Sequence, residues 1–312
     1  MKKIITLLLI LILSQNVYAY DAEATLREVK ENTDISSLTY APIGGEWSVL
    51  YLVKSGIAKP SEFGAYKEKI AELLKTTQGE PDKRKYTSYS RLILALNALG
   101  SDPKNIEGYD LYSKLEDYEK VISQGLNGAV FALIALNNGN ISTPVKERYI
   151  SYILSRQKSD GGFSLMDESE PDVTAMVLQS LAPFTYKEDV KEAVNKALDY
   201  LSKAQLENGG YEAYGSETSE YTSQVIIALT ALNIDPQEDE RFIKNASLID
   251  NIYSYRTKKG FAHTPWGETN AMATEQACCA LTSYKLFKEG KGCIYSPAAS
   301  YKAVLEGLLC VC

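Results

Sequence analysis

Tyr221-Thr-Ser-Gln-Val-Ile-Ile-Ala-Leu-Thr-Ala-Leu232 is the stretch that decides the fold, because five similar stretches recur along the 312-residue chain. Each is a short apolar run that ends in a variant of Ala-Leu-x-Ala-Leu and is followed by a turn. The other copies are residues 47–56, 89–100, 127–136, 172–181 and 271–281. Their matching leucines are 46, 37, 45, 51 and 52 residues apart. Such a period is typical of repeat proteins, in which one unit cannot bury its own apolar face.

Amphipathic segments separate these repeats and predict a second set of helices. In one of them Val190, Val194, Leu198 and Leu201 are spaced as on one helical face, with Lys and Glu between them. The segments of this kind are residues 61–77, 110–123, 144–157, 186–205 and 239–256. They predict outer helices with one wet face. The Ala-rich repeats, apolar nearly all round, predict inner helices packed on both sides.

Six inner helices, each paired with an outer one, predict an all-α fold, a closed (α/α)6 toroid. The alternative is an open solenoid of helix pairs. The ring is favoured because a solenoid needs polar capping repeats at its ends, and the sequence has none. No Pro/Gly/Ser-rich linker divides the chain. We therefore expect one toroid domain over residues 20–290.

Composition and charge exclude one class of partner. The charged fraction of 23% and the hydrophobic fraction of 45% are those of an ordinary globular protein. The formal net charge is −7, and no cluster of Lys and Arg stands out. Binding of nucleic acid depends on phosphate neutralisation, so a nucleic-acid partner is not expected.

The first 19 residues are predicted to be a signal peptide. Met1-Lys-Lys3 supplies a basic start, residues 4–13 are apolar, and Ala19 offers a small residue for cleavage before Tyr20. The apolar run is too short to span a membrane comfortably, and no Cys follows it to carry a lipid. We expect an exported bacterial protein, secreted or held at the cell surface, without a stable membrane span.

The cysteines are confined to the last 35 residues, at Cys278, Cys279, Cys293, Cys310 and Cys312. Cys278 and Cys279 fall inside the last repeat, where a buried thiol behaves as a small hydrophobic group. A cysteine-based metal cluster is not indicated, because the chain has a single histidine, His263. Residues 291–312 match no repeat and are predicted to form a Cys-containing tail.

A second motif follows several outer helices and indicates a family. Its copies are Gln157-Lys-Ser-Asp-Gly-Gly-Phe163, Gln205-Leu-Glu-Asn-Gly-Gly-Tyr211 and the shorter Arg256-Thr-Lys-Lys-Gly-Phe261. It predicts a helix end with a left-handed glycine cap, followed by an aromatic plug. With Gly44-Gly-Glu-Trp47 and Asp172-Val-Thr-Ala175, the motif resembles the toroids of squalene cyclases and protein prenyltransferases. The resemblance covers residues 38–287. More specifically, the chain resembles exported bacterial proteins with prenyltransferase/squalene-oxidase repeats. It is also similar to the large domain of intrinsic factor and transcobalamin.

Two branches of this superfamily lack their chemistry here. Protein prenyltransferases hold zinc with Asp, Cys and His on inner helices, whereas His263 follows Gly260-Phe261 in a loop and no Asp-x-Cys precedes it. Thioester domains need Cys-Gly-Glu-Gln, and this chain has Ala273-Thr-Glu-Gln276 in its place. We therefore expect no metal and no required cofactor.

The branch of class II terpene cyclases implies a general acid. These enzymes protonate an alkene or epoxide with the middle Asp of Asp-x-Asp-Asp-Thr-Ala, and this chain has Glu170-Pro-Asp-Val-Thr-Ala175. Asp172 matches the acid and Glu170 stands at the first position, whereas Val173 replaces the third. The alternative is that Asp172 caps the fourth inner helix. Aromatic side chains near the mouth would stabilise a carbocation or line any ligand pocket. They are Trp47, Tyr86, Tyr89, Tyr221 and Trp266.

The branch of cobalamin carriers implies binding without catalysis. Its toroid forms half of a clamp with a small β domain, which this chain lacks, so a separate β domain or a cell-surface protein is an implied partner. Polar side chains at the starts of inner helices would hydrogen-bond a corrin amide or a sugar. They are Glu46, Asn127, Asp172, Glu220, Asn270 and Glu275. Each is also accounted for by helix capping or solvation.

The resulting hypothesis is an exported toroid that binds or scaffolds at its mouth, with a corrinoid (cobalamin-like) or another small amphipathic molecule as ligand. A terpene-cyclase-like enzyme using Asp172 is the alternative. A third class, the helical-barrel glycoside hydrolases and lyases, needs two carboxylates at a defined separation. Glu46, Asp172 and Glu220 are the candidates for that pair.

Overall fold

A computed structural model describes residues 20–297; the predicted signal peptide, Cys310 and Cys312 lie outside this range. Each of the six repeats forms one helix. In chain order these inner helices are α2 (Glu46–Lys54), α4 (Tyr86–Ala98), α7 (Gly125–Asn138), α9 (Pro171–Leu181), α11 (Ser219–Ala231) and α13 (Ala271–Lys288). Most of their side chains are buried, as the apolar pattern predicts.

The inner helices close into a ring. Contacts run from α2 to α4, α7, α9, α11 and α13 in turn, and α13 packs back against α2. The helices run in one direction. The start of α13 bonds to the start of α2 through Glu275 and Gly44, and the end of α11 bonds to α13 through Thr230 and Ser283. The all-α toroid is confirmed, and the open solenoid is excluded.

The outer layer surrounds this ring with shorter or more amphipathic helices. They are α1 (Ala22–Glu31), α3 (Gly64–Thr76), α5 (Tyr112–Glu116), α6 (Tyr118–Ile122), α8 (Val145–Leu154), α10 (Glu188–Ala204) and α12 (Leu248–Ser254). In α10 the buried residues include Val190, Val194, Leu198 and Leu201, as predicted from their spacing. The helix therefore turns one apolar face to the inner layer.

Two outer segments differ from the prediction. The predicted helix over residues 110–123 is split, because Asp117 adopts a non-helical conformation and its side chain caps α6 by accepting from the Lys120 amide. Residues 239–256, predicted as one helix, instead form a 3₁₀ turn, Glu240–Phe242, followed by the short helix α12. The start of α12 is stabilised by a capping box of Ser247 and Asp250. The sixth outer helix is α1, which packs on α13.

The repeated turn motif has a different geometry from the predicted helix cap. Helix α8 ends at Leu154, and Gly161 lies beyond it with φ +91° inside a separate turn. That turn is held by the Gln157 side-chain amide, which donates to the carbonyls of Gly161 (2.9 Å) and Ala193 (2.8 Å). The aromatic plug is confirmed, since the three motif aromatics are fully buried. They are Phe163, Tyr211 and Phe261.

Two small hairpins precede the last two inner helices. Strands β1 (Glu212–Ala213) and β2 (Ser216–Glu217) pair antiparallel before α11. Strands β3 (Phe261–Ala262) and β4 (Thr269–Asn270) do so before α13. Both hairpins therefore lie at the end of the ring where the inner helices begin, which we call the mouth. The opposite end is called the far end.

Candidate functional site

The ring encloses a central cavity of about 180 Å³ on the mouth side. Its lining comes from five of the inner helices and their flanking segments. The lining residues are Pro42, Trp47, Phe131, Met176, Gln224, Ile227, Met272, Glu275, Gln276, Cys279 and Tyr295. This volume is below the 300–1,000 Å³ or so that is usual for drug-sized ligands, so the cavity suits a small group or one end of a larger molecule.

One wall of the cavity is apolar and aromatic. The rings of Trp47 and Phe131 lie 5.9 Å apart between centroids, inclined at 56°, an arrangement that aromatic pairs favour. Met176 and Ile227 continue this wall on α9 and α11. The wall thus offers a flexible thioether and two aromatic faces to an apolar group.

The polar part of the cavity wall belongs to a row of three side-chain amides, one from each of α9, α11 and α13. Of these, Gln224 and Gln276 line the central cavity, whereas Gln179 does not. Gln179 donates from Nε2 to Oε1 of Gln224 over 2.9 Å, and Gln224 donates from Nε2 to Oε1 of Gln276 over the same distance. These bonds fix the orientation of each amide, because every acceptor in the row is an oxygen. The row therefore ends at the NH₂ group of Gln276, which is a hydrogen-bond donor. The Gln276 side chain lines the cavity.

Glu275 adds a carboxyl group to the same wall. It is 6% exposed, and it accepts hydrogen bonds from the Ser48 hydroxyl and from the Gly44 amide, the latter at 3.0 Å. Burial raises its pKa above the ordinary Glu value, and the bonds from Ser48 and Gly44 partly offset that rise. The cavity is therefore amphipathic, with apolar side chains facing amide and carboxyl groups.

The far end of the ring is closed by the start of the predicted tail. Tyr295 lines the central cavity and also a second cavity of about 250 Å³ at the far end, so its side chain separates the two. The backbone carbonyl of Tyr295 accepts from Asn138 Nδ2 at 3.0 Å, and that of Ser296 accepts from Lys54 Nζ at 2.7 Å. Burial lowers the pKa of Lys54 to about 8. A ligand for the central cavity would thus enter from the mouth.

Asp172 lies in the first turn of α9 and does not cap it. The N-cap residue is Glu170, so the capping interpretation of Asp172 is wrong. The Oδ1 atom of Asp172 is buried without a hydrogen-bond partner. Burial raises its pKa to about 6; the neighbouring Val173 amide lowers it, whereas the negative charge of Glu170 raises it further. Such a carboxyl group holds a proton nearer to neutral pH than an ordinary Asp does. It is not among the residues that line the central cavity.

Glu170 and Glu220 each have a local structural partner. Glu170 accepts from the Leu165 amide at 2.8 Å. Glu220 Oε1 lies 2.8 Å from His263 Nδ1, with Glu220 nearly buried and the imidazole partly exposed. The Glu220 carboxylate thus orients the imidazole with Nδ1 inward, which joins α11 to the β3–β4 hairpin.

The structure brings Trp47 and Glu275 together at the central cavity and places the other predicted ligand-binding residues elsewhere. Glu46 is fully buried in the ring wall, where Oε2 pairs with Arg91 Nε at 2.6 Å, so it offers no free carboxylate for glycosidase-like chemistry. Tyr86 and Tyr89 are buried with ring centroids 5.6 Å apart.

The remaining predicted residues lie around the mouth. Asn270 is the N-cap of α13 and accepts from the Ala273 amide at 3.0 Å. Asn127 and Tyr221 are partly exposed in the first turns of α7 and α11. Trp266 is fully exposed between β3 and β4. These four residues would meet a ligand only if it extended beyond the cavity.

Most of the cavity lining lies outside the residues predicted from the sequence. Phe131, Met176 and Gln224 each lie one helical turn after a predicted polar residue, and Gln276 directly follows the predicted Glu275. The sequence does mark two of these residues, because Gln224 and Gln276 are polar positions within otherwise apolar repeats. Tyr295 had no such signal, because the tail matches no repeat.

Comparison with known proteins identifies the domain. A family model described as the prenyltransferase alpha-alpha toroid domain matches residues 111–304, which is more than half of the chain. The matched region begins one residue before α5 and runs past the predicted domain boundary at residue 290. No curated protein matches the chain.

Within residues 20–297, no three side chains of His, Cys, Asp or Glu are grouped so as to hold a metal ion. No helix in the same range is both long enough and apolar enough to cross a membrane.

Proposed function

Since the chain belongs to the prenyltransferase alpha-alpha toroid domain family, we propose that it uses the mouth of its ring to bind a small amphipathic ligand. The observation that carries this proposal is the amphipathic central cavity, closed at the far end by Tyr295. An apolar group would pack between Trp47, Phe131 and Met176. A hydrogen-bond acceptor on the ligand would meet the Gln276 amide at the end of the row.

The size of the cavity limits the ligand class. A corrin macrocycle is far larger than 180 Å³, so a corrinoid would rest on the mouth with only a side chain inside. A long polyene would likewise leave most of its length outside. This favours binding of a short apolar chain or ring that carries a carbonyl, hydroxyl or carboxylate group.

The terpene-cyclase-like alternative has one observation in its favour. Asp172 is a largely buried carboxyl group with an unpartnered Oδ1 and a pKa of about 6, which are properties of a general acid. Against it, Asp172 does not line the central cavity, and that cavity is too small to fold a polyene. Binding is therefore the better-supported function.

The test is a thermal-shift and calorimetry screen of the purified protein. The probes are isoprenoid alcohols and diphosphates, squalene, cobinamide, cyanocobalamin and short oligosaccharides. Met176→Trp fills the cavity, and Met166→Trp is the matched control because Met166 is exposed outside the cavity. We expect a probe to stabilise the wild type and Met166→Trp but not Met176→Trp. The proposal fails if no probe binds or if Met176→Trp binds equally well.

Asp172→Asn, which keeps the shape of the side chain, separates the two functions. Equal binding by the wild type and Asp172→Asn supports the binding function. Conversion of squalene to a cyclic product by the wild type, absent in Asp172→Asn, would show that the protein is an enzyme and overturn the proposal.

A further inference from the structure

Exposed apolar side chains of the described residues are concentrated at the mouth. Within residues 20–297, eight large hydrophobic side chains are exposed, and six of them lie in segments that lead into inner helices or begin one. These six are Ile43, Leu165, Met166, Tyr214, Trp266 and Met272. We call this set the apolar rim. Only Tyr186 and Ile243 lie elsewhere, so the distribution is strongly one-sided.

The two aromatic members of the apolar rim stand at the tips of consecutive hairpins. Tyr214 has φ +53° and precedes Gly215 between β1 and β2; Trp266 has φ +63° and precedes Gly267 in the β3–β4 connection. A left-handed conformation is unfavourable for a bulky residue and persists where surrounding structure enforces it. Burial of the side chain does not offset this unfavourable backbone conformation at Trp266, because the side chain is fully exposed. Both aromatic side chains are thus exposed at the mouth, with Tyr214 also held by a hydrogen bond to Glu170.

Four members of the apolar rim lie in acidic segments. The three segments that carry Leu165, Met166, Tyr214 and Trp266 span residues 163–171, 211–218 and 262–270, and none contains Lys or Arg. Their exposed acids are Asp167, Glu168, Glu212 and Glu268. The nearby Lys158 Nζ donates to the backbone carbonyls of Met166 and Asp167 and so stabilises the first segment. The part of the surface around Leu165, Met166, Tyr214 and Trp266 therefore combines apolar side chains with negative charge, and the exposed Lys259 lies on the side of Ile43.

We propose that the apolar rim is a docking surface for a protein segment that carries Lys or Arg beside large apolar side chains. Lys and Arg would pair with the rim carboxylates and lie against the rings of Tyr214 and Trp266. Apolar side chains of the partner would cover Leu165, Met166 and Met272. Exposed Trp, Tyr and Met are the residue types enriched where proteins bind one another.

The charge decides between this partner and other occupants of an apolar surface. An anionic membrane surface would be repelled by the rim acids. A second copy docked rim to rim would bring identical acidic groups together. Polysaccharides stack on aromatic rings but gain little from Ile43, Leu165 or Met272. The surface is separate from the central cavity except at Met272, so this inference goes beyond the proposed small-molecule binding.

The test uses a short amphipathic peptide of Lys and Leu, which contains no Trp. Binding should shift the Trp266 fluorescence to shorter wavelength, because the ring leaves water. Tyr214→Ser combined with Trp266→Ser removes this fluorophore, so its binding is measured by calorimetry and should be at least about tenfold weaker, as expected for aromatic hot spots. Tyr186→Ser is the matched control, since Tyr186 is exposed outside the apolar rim. Unchanged thermal stability of all variants shows that they fold.

Each remaining outcome counts for or against the proposal. A peptide with Glu in place of Lys, or Ser in place of Leu, should bind at least about tenfold more weakly, because charge and apolar contact are both required. Equal binding by the rim variant and the Tyr186 control overturns the proposal. So does absence of binding to the Lys–Leu peptide. Rim-dependent binding to phosphatidylserine vesicles, or a rim-dependent dimer in sedimentation, assigns the surface to a membrane or a second copy instead.

Discussion

The backbone amide of Gly44 donates to the Oε1 atom of Glu275 over 3.0 Å, although 231 residues separate the two along the chain. Gly44 precedes the first inner helix, and Glu275 lies near the start of the last one. The Ser48 hydroxyl donates to the same carboxylate oxygen. This bond network is the polar part of the seam at which α13 meets α2 and the ring closes.

Replacement of Glu275 should weaken this seam. Glu275→Ala leaves the nearly buried Ser48 hydroxyl and the Gly44 amide without their acceptor, which should lower the free energy of unfolding by about 2 kcal/mol. Glu275→Gln retains an acceptor oxygen and should cost less. Urea denaturation measures both variants. Equal stabilities of Glu275→Ala and the wild type would show that packing alone closes the ring.

The ion pair of Arg91 and Glu46 should show strong energetic coupling. Its side chains are 11% and 0% exposed, and removal of one partner of a buried pair costs about 3–5 kcal/mol because a buried charge is left behind. We therefore expect Arg91→Met alone to lower the free energy of unfolding strongly. The double variant, Glu46→Gln with Arg91→Met, should recover much of that lost stability. The measurement is a double-mutant cycle by urea denaturation. Additive effects of the two substitutions would contradict the expectation.

Thr174 should contribute to stability through its hydroxyl. Its Oγ1 accepts from the Phe163 amide at 2.9 Å and donates to the Phe163 carbonyl at 3.2 Å, fully inside the protein. Thr174→Val keeps the volume but leaves the buried Phe163 amide unpaired, whereas the Phe163 carbonyl keeps the Glu170 amide as a donor. The free energy of unfolding should therefore fall by about 1–3 kcal/mol.

A matched control for Thr174 exists in Thr282, which is equally buried but has no hydrogen-bond partner for its hydroxyl. Thr282→Val removes an unsatisfied group and should be neutral or stabilising. Thermal or urea denaturation of the two Thr→Val variants would test the comparison. A larger loss for Thr282→Val than for Thr174→Val would refute it.

The stability of the protein should depend on pH through Asp172. Its pKa rises from 3.8 to about 6 on folding, mainly because burial disfavours the carboxylate, so the folded state binds the proton more tightly. The stabilising effect of this proton is complete below about pH 4 and is lost as the pH rises to about 6. At pH 7 the neutral Asp172→Asn should therefore be more stable than the wild type, by up to about 3 kcal/mol.

Melting temperatures of the wild type and Asp172→Asn, recorded from pH 4 to pH 8, would measure this dependence. The two curves should diverge as the pH rises and become parallel above the folded pKa. Curves that stay parallel throughout would mean that the carboxyl group of Asp172 titrates normally in the folded protein.

The fold followed from the sequence because its main signal is periodic. Each of the six apolar repeats became an inner helix, and the lack of capping repeats correctly indicated a closed ring. The errors lie where a single side chain decides the local conformation. Asp117 divides one outer helix by capping the next, and Gln157 holds a turn where a glycine helix cap was expected.

The candidate site was much less predictable than the fold. Inner helices are apolar on nearly every face, so periodicity does not show which face lines the cavity. The positions predicted near the starts of the inner helices include Trp47 and Glu275, but neither Gln224, one turn deeper than Glu220, nor Gln276, the residue after Glu275. Tyr295 depends on how a non-repeating segment folds back into the ring, which no local pattern encodes.

The packing of α1 on α13 has a consequence for synthesis on the ribosome. The chain emerges amino end first, so α1 exists long before its partner helix has been made. Until residues 271–288 emerge, α1 and one side of α2 have no inner-helix neighbour, and their apolar faces stay open to other proteins. We therefore expect the nascent chain to depend on chaperone binding at its amino-terminal helices, and stalled chains that end before α13 to aggregate.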